Sequence, residues 1–160
     1  MLIIYFSNTD ITKQVVEDIQ EYTQATAIRL IPNIPYPTDF DTAKEIVVQQ
    51  NLNNVLPKYT PISIDLSKQD IILLAYPVWD KHLPPVMRTF LTNHNLTDKV
   101  ILPVNTHLGF GTGFSIDDLK NLAPTATVKE PLSIANSDMI SAKQVIKDWL
   151  SQLAKVELHS

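Results

Sequence analysis

An unbroken apolar run, Leu2-Ile3-Ile4-Tyr5-Phe6, stops at Ser7-Asn8-Thr9-Asp10, and Ile11-Thr12-Lys13-Gln14-Val15-Val16-Glu17-Asp18-Ile19 follows at once. A run this short, with no polar residue alternating through it, suits a strand covered on both faces. Val15, Val16, Ile19 and Tyr22 then recur near 3.6-residue spacing, the mark of an amphipathic helix. A buried strand passing into a helix through one short polar turn restricts the chain to layered α/β architectures. At such a junction the first helical N–H groups lack intrahelical partners and the helix dipole adds partial positive charge. Ser7, Thr9 and Thr12 contribute hydroxyls to the same turn, so it can bind phosphate without a cationic side chain. Ser, Thr and Asp are equally the ordinary helix N-cap residues, and this stretch alone does not choose between the two roles.

The rest of the chain repeats the strand–helix alternation. Ala27–Ile31 reads as a second short strand, and Pro32, Pro35 and Pro37 then forbid regular structure. Thr38-Asp39 or Asp41-Thr42 caps a helix holding Ala43, Ile46, Val47 and Val48, which frays through Asn51–Asn54. Ile71–Tyr76 is another uninterrupted apolar strand, ending in Pro77-Val78-Trp79-Asp80-Lys81-His82. Pro84 or Pro85 fits the first turn of the next helix, where no N–H is needed, and Val86, Met87, Phe90 and Leu91 form its buried face. Lys99–Thr106 is a further strand in which Pro103 predicts a bulge or an irregular hydrogen bond. The chain's 3 glycines, Gly109, Gly111 and Gly113, all fall in the loop after it, which therefore needs positive φ or a close approach to the main chain. Ser115 caps a short helix with Ile116, Leu119 and Leu122, with Asp117 and Asp118 as N-terminal charges; the last strand lies within Ala126–Ile134. The final helix covers Ala142–Leu153, with Val145, Ile146, Trp149, Leu150 and Leu153 on its face.

Helices alternating with strands predict a doubly wound, three-layer α/β sandwich with a five-stranded parallel sheet, formed by one domain over residues 1–154 and a loose tail over 155–160. The hydrophobic fraction of 44% and charged fraction of 19% suit a globular chain. A net charge of −4 argues against nucleic acid, which needs a basic face. With no cysteine, thiolate chemistry and Cys-ligated metals are excluded. The histidines show no metal-ligand spacing, so no metal is expected. No apolar run reaches transmembrane length, and a cytoplasmic protein is the expectation.

Ligands of such sheets sit beyond the C-terminal strand ends, at the topological switch point. Three loops lie there: Ser7–Thr12 with hydroxyls and a helix N-terminus, Pro77–His82 with Trp79, and Thr106–Phe114 with glycine-rich backbone and His107. A phosphate site, a planar aromatic and open backbone amides are what a mononucleotide requires. As a general acid or base His107 is the lesser reading; a loop histidine bonded to backbone is the greater, and no catalytic side chain is required. Trp79 either closes the core edge or faces the ligand. Tyr36 either reaches the ligand or only packs.

Over nearly its full length the chain resembles the flavodoxin-like family. The resemblance rests on Tyr5-Phe6-Ser7-Asn8-Thr9-Asp10-Ile11-Thr12-Lys13, on Tyr76-Pro77-Val78-Trp79, on Leu83-Pro84-Pro85-Val86-Met87-Arg88-Thr89-Phe90-Leu91, and on Thr106-His107-Leu108-Gly109-Phe110-Gly111. It is most similar to short-chain flavodoxins with a Tyr-Pro-x-Trp loop, which implies strand order 2-1-3-4-5 and non-covalent FMN. By that resemblance Ser7, Thr9 and Thr12, with backbone N–H groups of Asn8, Asp10, Ile11 and their neighbours, hold the phosphate. Pro77, Val78 and Trp79 border the isoalloxazine, and Thr106, His107, Gly109, Phe110 and Gly111 approach its other edge. The implied function is electron transfer, as a carrier or as a small NAD(P)H-dependent FMN oxidoreductase. The implied partner is a redox protein or a small acceptor such as a quinone, with homodimerisation allowed and no membrane contact. Asp10 and Leu108 depart from the family, which usually has glycine at both. A carboxylate about 5 Å from the phosphate, at an effective dielectric near 20, costs on the order of 3 kcal/mol, or roughly a hundredfold in affinity. The alternative reading is therefore a flavodoxin-fold binding or regulatory module that has lost flavin.

Overall fold

The computed structural model describes residues 1–159. Strands β1 (Leu2–Tyr5), β2 (Thr26–Arg29), β3 (Ile71–Pro77), β4 (Val100–His107), β5 (Thr127–Val128) and β6 (Leu132–Ala135) alternate with helices α1 (Ile11–Thr23), α2 (Phe40–Leu52), α3 (Pro85–Asn93), α4 (Ser115–Leu122) and α5 (Ala142–His159). The sheet runs β2-β1-β3-β4-β5, with β6 also pairing β4, and every pairing is parallel. This is the five-position order 2-1-3-4-5, with β5 and β6 sharing the fifth position.

The break between β5 and β6 has a local cause. Ile101 pairs with Val128 and Val104 with Leu132, so Leu102-Pro103 faces Lys129-Glu130-Pro131, one residue longer. That surplus residue is a bulge, and it sits where Pro103 supplies no N–H to the ladder.

Each central strand is buried on both sides. Ile4, Phe6, Ile72, Leu74 and Tyr76 point to one face and meet Val47 of α2, Met87 and Phe90 of α3, and Leu119 of α4. Ile3, Leu73, Ala75 and Val104 point to the other, against Val15, Val16 and Ile19 of α1 and Ile146 of α5. This two-sided covering is why β1 and β3 lack polar alternation.

Several local expectations are corrected. Tyr22 and Val145 are exposed rather than core. Asp39, not Asp41, caps α2, its carboxylate accepting from the Thr42 N–H at 3.0 Å. Ser115 caps nothing: it is the first residue of α4, fully buried, and its hydroxyl lies 2.9 Å from that of Tyr76. Helix α5 continues beyond Leu153, so residues 155–159 are helical where a loose tail was expected; Ser160 lies outside the described residues. Among the described residues no helix is long and apolar enough to cross a membrane.

Candidate functional site

At the C-terminal ends of β1, β3 and β4 the three loops enclose a cleft of about 460 Å³, within the range of small-ligand sites.

The first wall is the turn between β1 and α1. Ser7 Oγ accepts the N–H of Lys13 at 3.1 Å, and the first helical bond runs from the Gln14 N–H to the Asp10 carbonyl at 3.0 Å. The backbone N–H groups of Asn8, Thr9 and Asp10 find no acceptor among the described residues. Asn8, Thr9, Ile11 and Thr12 line the cleft, whereas Ser7 does not. Ser7 instead shapes the turn from beneath. Thr12, buried, pairs its hydroxyl with that of Thr106 on β4 at 2.9 Å, fastening the first wall to the third.

Asp10 is turned out of the cleft. It holds the left-handed conformation at φ +64°, which Asp tolerates better than most residues. Its carboxylate meets the Arg29 guanidinium at 3.2 Å, and Arg29 also donates to the Ser7 carbonyl at 2.7 Å. Asp10 does not line the cleft. The like-charge cost expected for a carboxylate facing phosphate therefore does not arise in that form: the carboxylate is neutralised by Arg29 at the back of the turn.

The second wall is the Trp79 hairpin. Trp79 and His82 exchange both backbone hydrogen bonds, at 3.0 and 2.8 Å, around Asp80 and Lys81, whose φ values are +51° and +64°. Two positive φ angles define the type I′ turn, which ordinarily recruits Asn and Gly. Two contacts hold it. Asp118 accepts from His82 Nδ1 at 2.9 Å and from the Leu83 N–H at 3.1 Å, and pairs ionically with Arg88 at 3.2 Å. The Lys81 carbonyl accepts the Phe114 N–H at 2.7 Å. A Cβ on Gly113 would stand 2.5 Å from that carbonyl, so the third glycine is there for close approach. Asp118 is thus a clamp on the hairpin rather than only a helix N-terminal charge. Trp79 both packs and borders the cleft: its ring stands edge-on to Phe6 and Tyr36, at 5.1 and 5.0 Å between centroids, and it lines the cleft. Tyr36 packs and does not line the cleft. Its hydroxyl donates to Gln50 at 2.6 Å, and burial pushes its phenol up to about 12 despite that bond.

The third wall is the glycine loop. Thr106, His107, Phe110 and Gly111 line the cleft, and Gly109 does not. His107 Nδ1 accepts the N–H groups of Gly109 and Gly111 at 3.0 and 3.1 Å, so the histidine is bonded to backbone. Leu108 lies at the rim, 59% exposed, and Phe110 is 87% exposed.

A fourth wall escaped the sequence reading. Phe40, Ala43, Lys44 and Val47 of α2 line the cleft, with Thr38 just before the helix. Their spacing of i, i+3, i+4, i+7 marks one helical stripe, but periodicity does not say what a stripe faces. Asp80 and Lys81 of the expected Pro77–His82 loop also border the cleft, though neither was singled out for the site, and Asn136 borders it unforeseen.

The arrangement suits a phosphorylated planar ligand. Unpaired amides and a helix N-terminus offer an anion site without a cation, and the Trp79 and α2 walls offer apolar surface.

A family described as Flavodoxin matches residues 1–153. No curated protein sequence matches the chain. A solved structure from Bacteroides eggerthii, provisionally described as a flavoprotein, is similar at 24% identity, covering 96% of both chains with a TM-score of 0.81. A flavoprotein from Lactobacillus acidophilus in complex with FMN shares 19% identity over 89% of this chain and 95% of its own, TM-score 0.71. A Fusobacterium nucleatum flavodoxin bound to flavin mononucleotide shares 15% identity over 96% of this chain and 95% of its own, TM-score 0.59.

Proposed function

The chain belongs to the flavodoxin family, and on that premise we propose that it binds FMN non-covalently and transfers electrons. The observation that carries this reading is the set of unpaired N–H groups at Asn8, Thr9 and Asp10, in a turn whose Asn8 and Thr9 line an apolar cleft. FMN-bound structures of similar fold support it.

In this reading the amides of Asn8–Thr12 and the hydroxyls of Thr9 and Thr12 hold the phosphate. Arg29 cancels the Asp10 charge behind them. Pro77, Val78 and Trp79 border the ring, and Thr106, His107, Phe110 and Gly111 border its opposite edge. When bound, FMN supplies one- or two-electron chemistry, and the protein tunes its potential through donors, charge and exclusion of water. The finer assignments belong to the same proposal: a short-chain flavodoxin whose working domain is residues 1–154, in the cytoplasm, serving a redox protein or a small acceptor such as a quinone. As an oxidoreductase it would draw electrons from NAD(P)H.

The test is the absorbance spectrum of the purified protein, followed by FMN titration read through flavin and Trp79 fluorescence. Flavin bands, or stoichiometric quenching, are expected. NAD(P)H oxidation with a quinone present then separates reductase from carrier. A colourless protein that leaves FMN fluorescence unchanged at high micromolar concentration overturns the proposal in favour of a module that has lost flavin.

A further inference from the structure

The glycine loop is folded around a histidine. With Gly109 at φ +119° and Gly111 at φ +72°, two N–H groups converge on one point, the geometry by which main chain usually captures an anion. Here that point is His107 Nδ1, at 3.0 and 3.1 Å. Nδ1 accepts two hydrogen bonds from backbone N–H groups and therefore carries no proton of its own. The ring is neutral, with its hydrogen on Nε2. Two consequences follow. The loop amides of Gly109 and Gly111 are occupied and do not serve a ligand. The ring's remaining polar atom, Nε2–H, can only donate.

Protonation reverses the contact. A proton on Nδ1 sets three N–H groups against one another, so the ring leaves and the loop loses the bonds that shape it. The charged residues that border the cleft with His107 are Lys44 of α2 and Asp80 and Lys81 of the hairpin; the neighbouring elements also carry Asp41 and Glu45 on α2, Asp10 and Lys13 at the start of α1, and Asp138 after β6. Asp10 is paired with Arg29 and Asp80 accepts from Asn51. Among the described residues none of these groups hydrogen-bonds or ion-pairs with the His107 ring.

We infer that His107 is a positioning residue: a neutral latch that holds the glycine loop against the cleft, and whose protonation releases the loop and weakens flavin binding. The sign follows from the contact. Binding uses the ring with Nδ1 unprotonated, so affinity falls when Nδ1 takes up a proton and loses the two amides. Only this last link, to flavin, rests on the FMN reading.

The test has two arms. In the first, ¹⁵N NMR of the protein without added flavin follows the His107 ring and the Gly109 and Gly111 amides from pH 8 to 5. A neutral Nε2–H tautomer is expected, with both amides shifting along the ring's own titration curve. His107→Asn places an oxygen where Nδ1 stood and does not titrate, so its two amides should stay put; His107→Ala should shift them at all pH values. An Nδ1–H tautomer, or amides indifferent to the ring, overturns the latch. In the second arm, riboflavin and FMN dissociation constants are compared at pH 8 and 5. Riboflavin removes the phosphate's own ionisation near pH 6. The wild-type riboflavin constant should rise about tenfold, the scale of one net hydrogen bond, and the His107→Asn constant should change far less. Equal pH ratios in the two proteins overturn the link to the site. If neither flavin binds, the FMN reading fails while the NMR arm still reports on the latch.

Discussion

Replacing Arg29 by Met tests how a carboxylate can stand in a phosphate-binding turn. The guanidinium lies 3.2 Å from Asp10, donates to the Ser7 carbonyl at 2.7 Å and sits 5.9 Å above the Tyr5 ring. Met keeps the apolar stem and removes the charge. It leaves Asp10 uncompensated behind the unpaired amides. Asp10 is well exposed, so a dielectric near that of water applies: a dianion and a carboxylate about 8 Å apart then repel by about 1 kcal/mol, or roughly fivefold in Kd. Loss of the bond to Ser7 loosens the turn for every ligand, by about 0.5–1 kcal/mol. FMN affinity should therefore fall about ten- to thirtyfold and riboflavin affinity only about two- to fivefold, by fluorescence titration at low salt. Adding Asp10→Asn to Arg29→Met should recover the FMN-specific part, and salt should shrink it. Equal losses for FMN and riboflavin, or no recovery in the double variant, would refute charge compensation.

Other perturbations follow from the same contacts. Gly113→Ala sets a Cβ against the Lys81 carbonyl at positive φ, so it should lower stability by roughly 2 kcal/mol in urea unfolding and weaken flavin binding by displacing the Trp79 hairpin. Thr106→Val leaves the buried Thr12 hydroxyl without its partner at 2.9 Å and should cost about 1–2 kcal/mol by the same measurement. The phenols of Tyr36 and Tyr76 are each pushed up to about 12, chiefly by burial. Unfolded phenols ionise near pH 10 while these two stay neutral. They therefore cost nothing below that pH, and stability should fall as pH rises from about 10 to 12. Phenolate absorbance at 295 nm should appear together with the loss of circular dichroism; phenolate appearing with the fold intact would contradict the burial.

Much of the architecture was legible because burial on both faces writes itself into composition. Leu2–Phe6 and Ile71–Tyr76 have no polar alternation because they lie between helices, and the strand order is the one that the motif resemblance implies. Pro103 announced an irregularity, which appears as the break between β5 and β6. Local chemistry misled where tertiary contacts outbid it. Ser115 looked like a cap but is held by Tyr76, and Asp118 looked like a helix charge but binds His82 and Arg88.

The sequence by itself determined the alternation of elements, the three loops at the strand ends and the concentration of glycine in one of them, since those depend on local backbone preference and on period. Only the tertiary structure decided where Asp10 points, because its partner Arg29 is brought alongside by the β1–β2 pairing rather than by sequence neighbourhood. It also decided that α2 forms a wall, that Gly113 yields to Lys81 and that His107 organises its own loop. Each of these is a contact between side chains or main chain converging in space, and its energy depends on distances that periodicity does not encode.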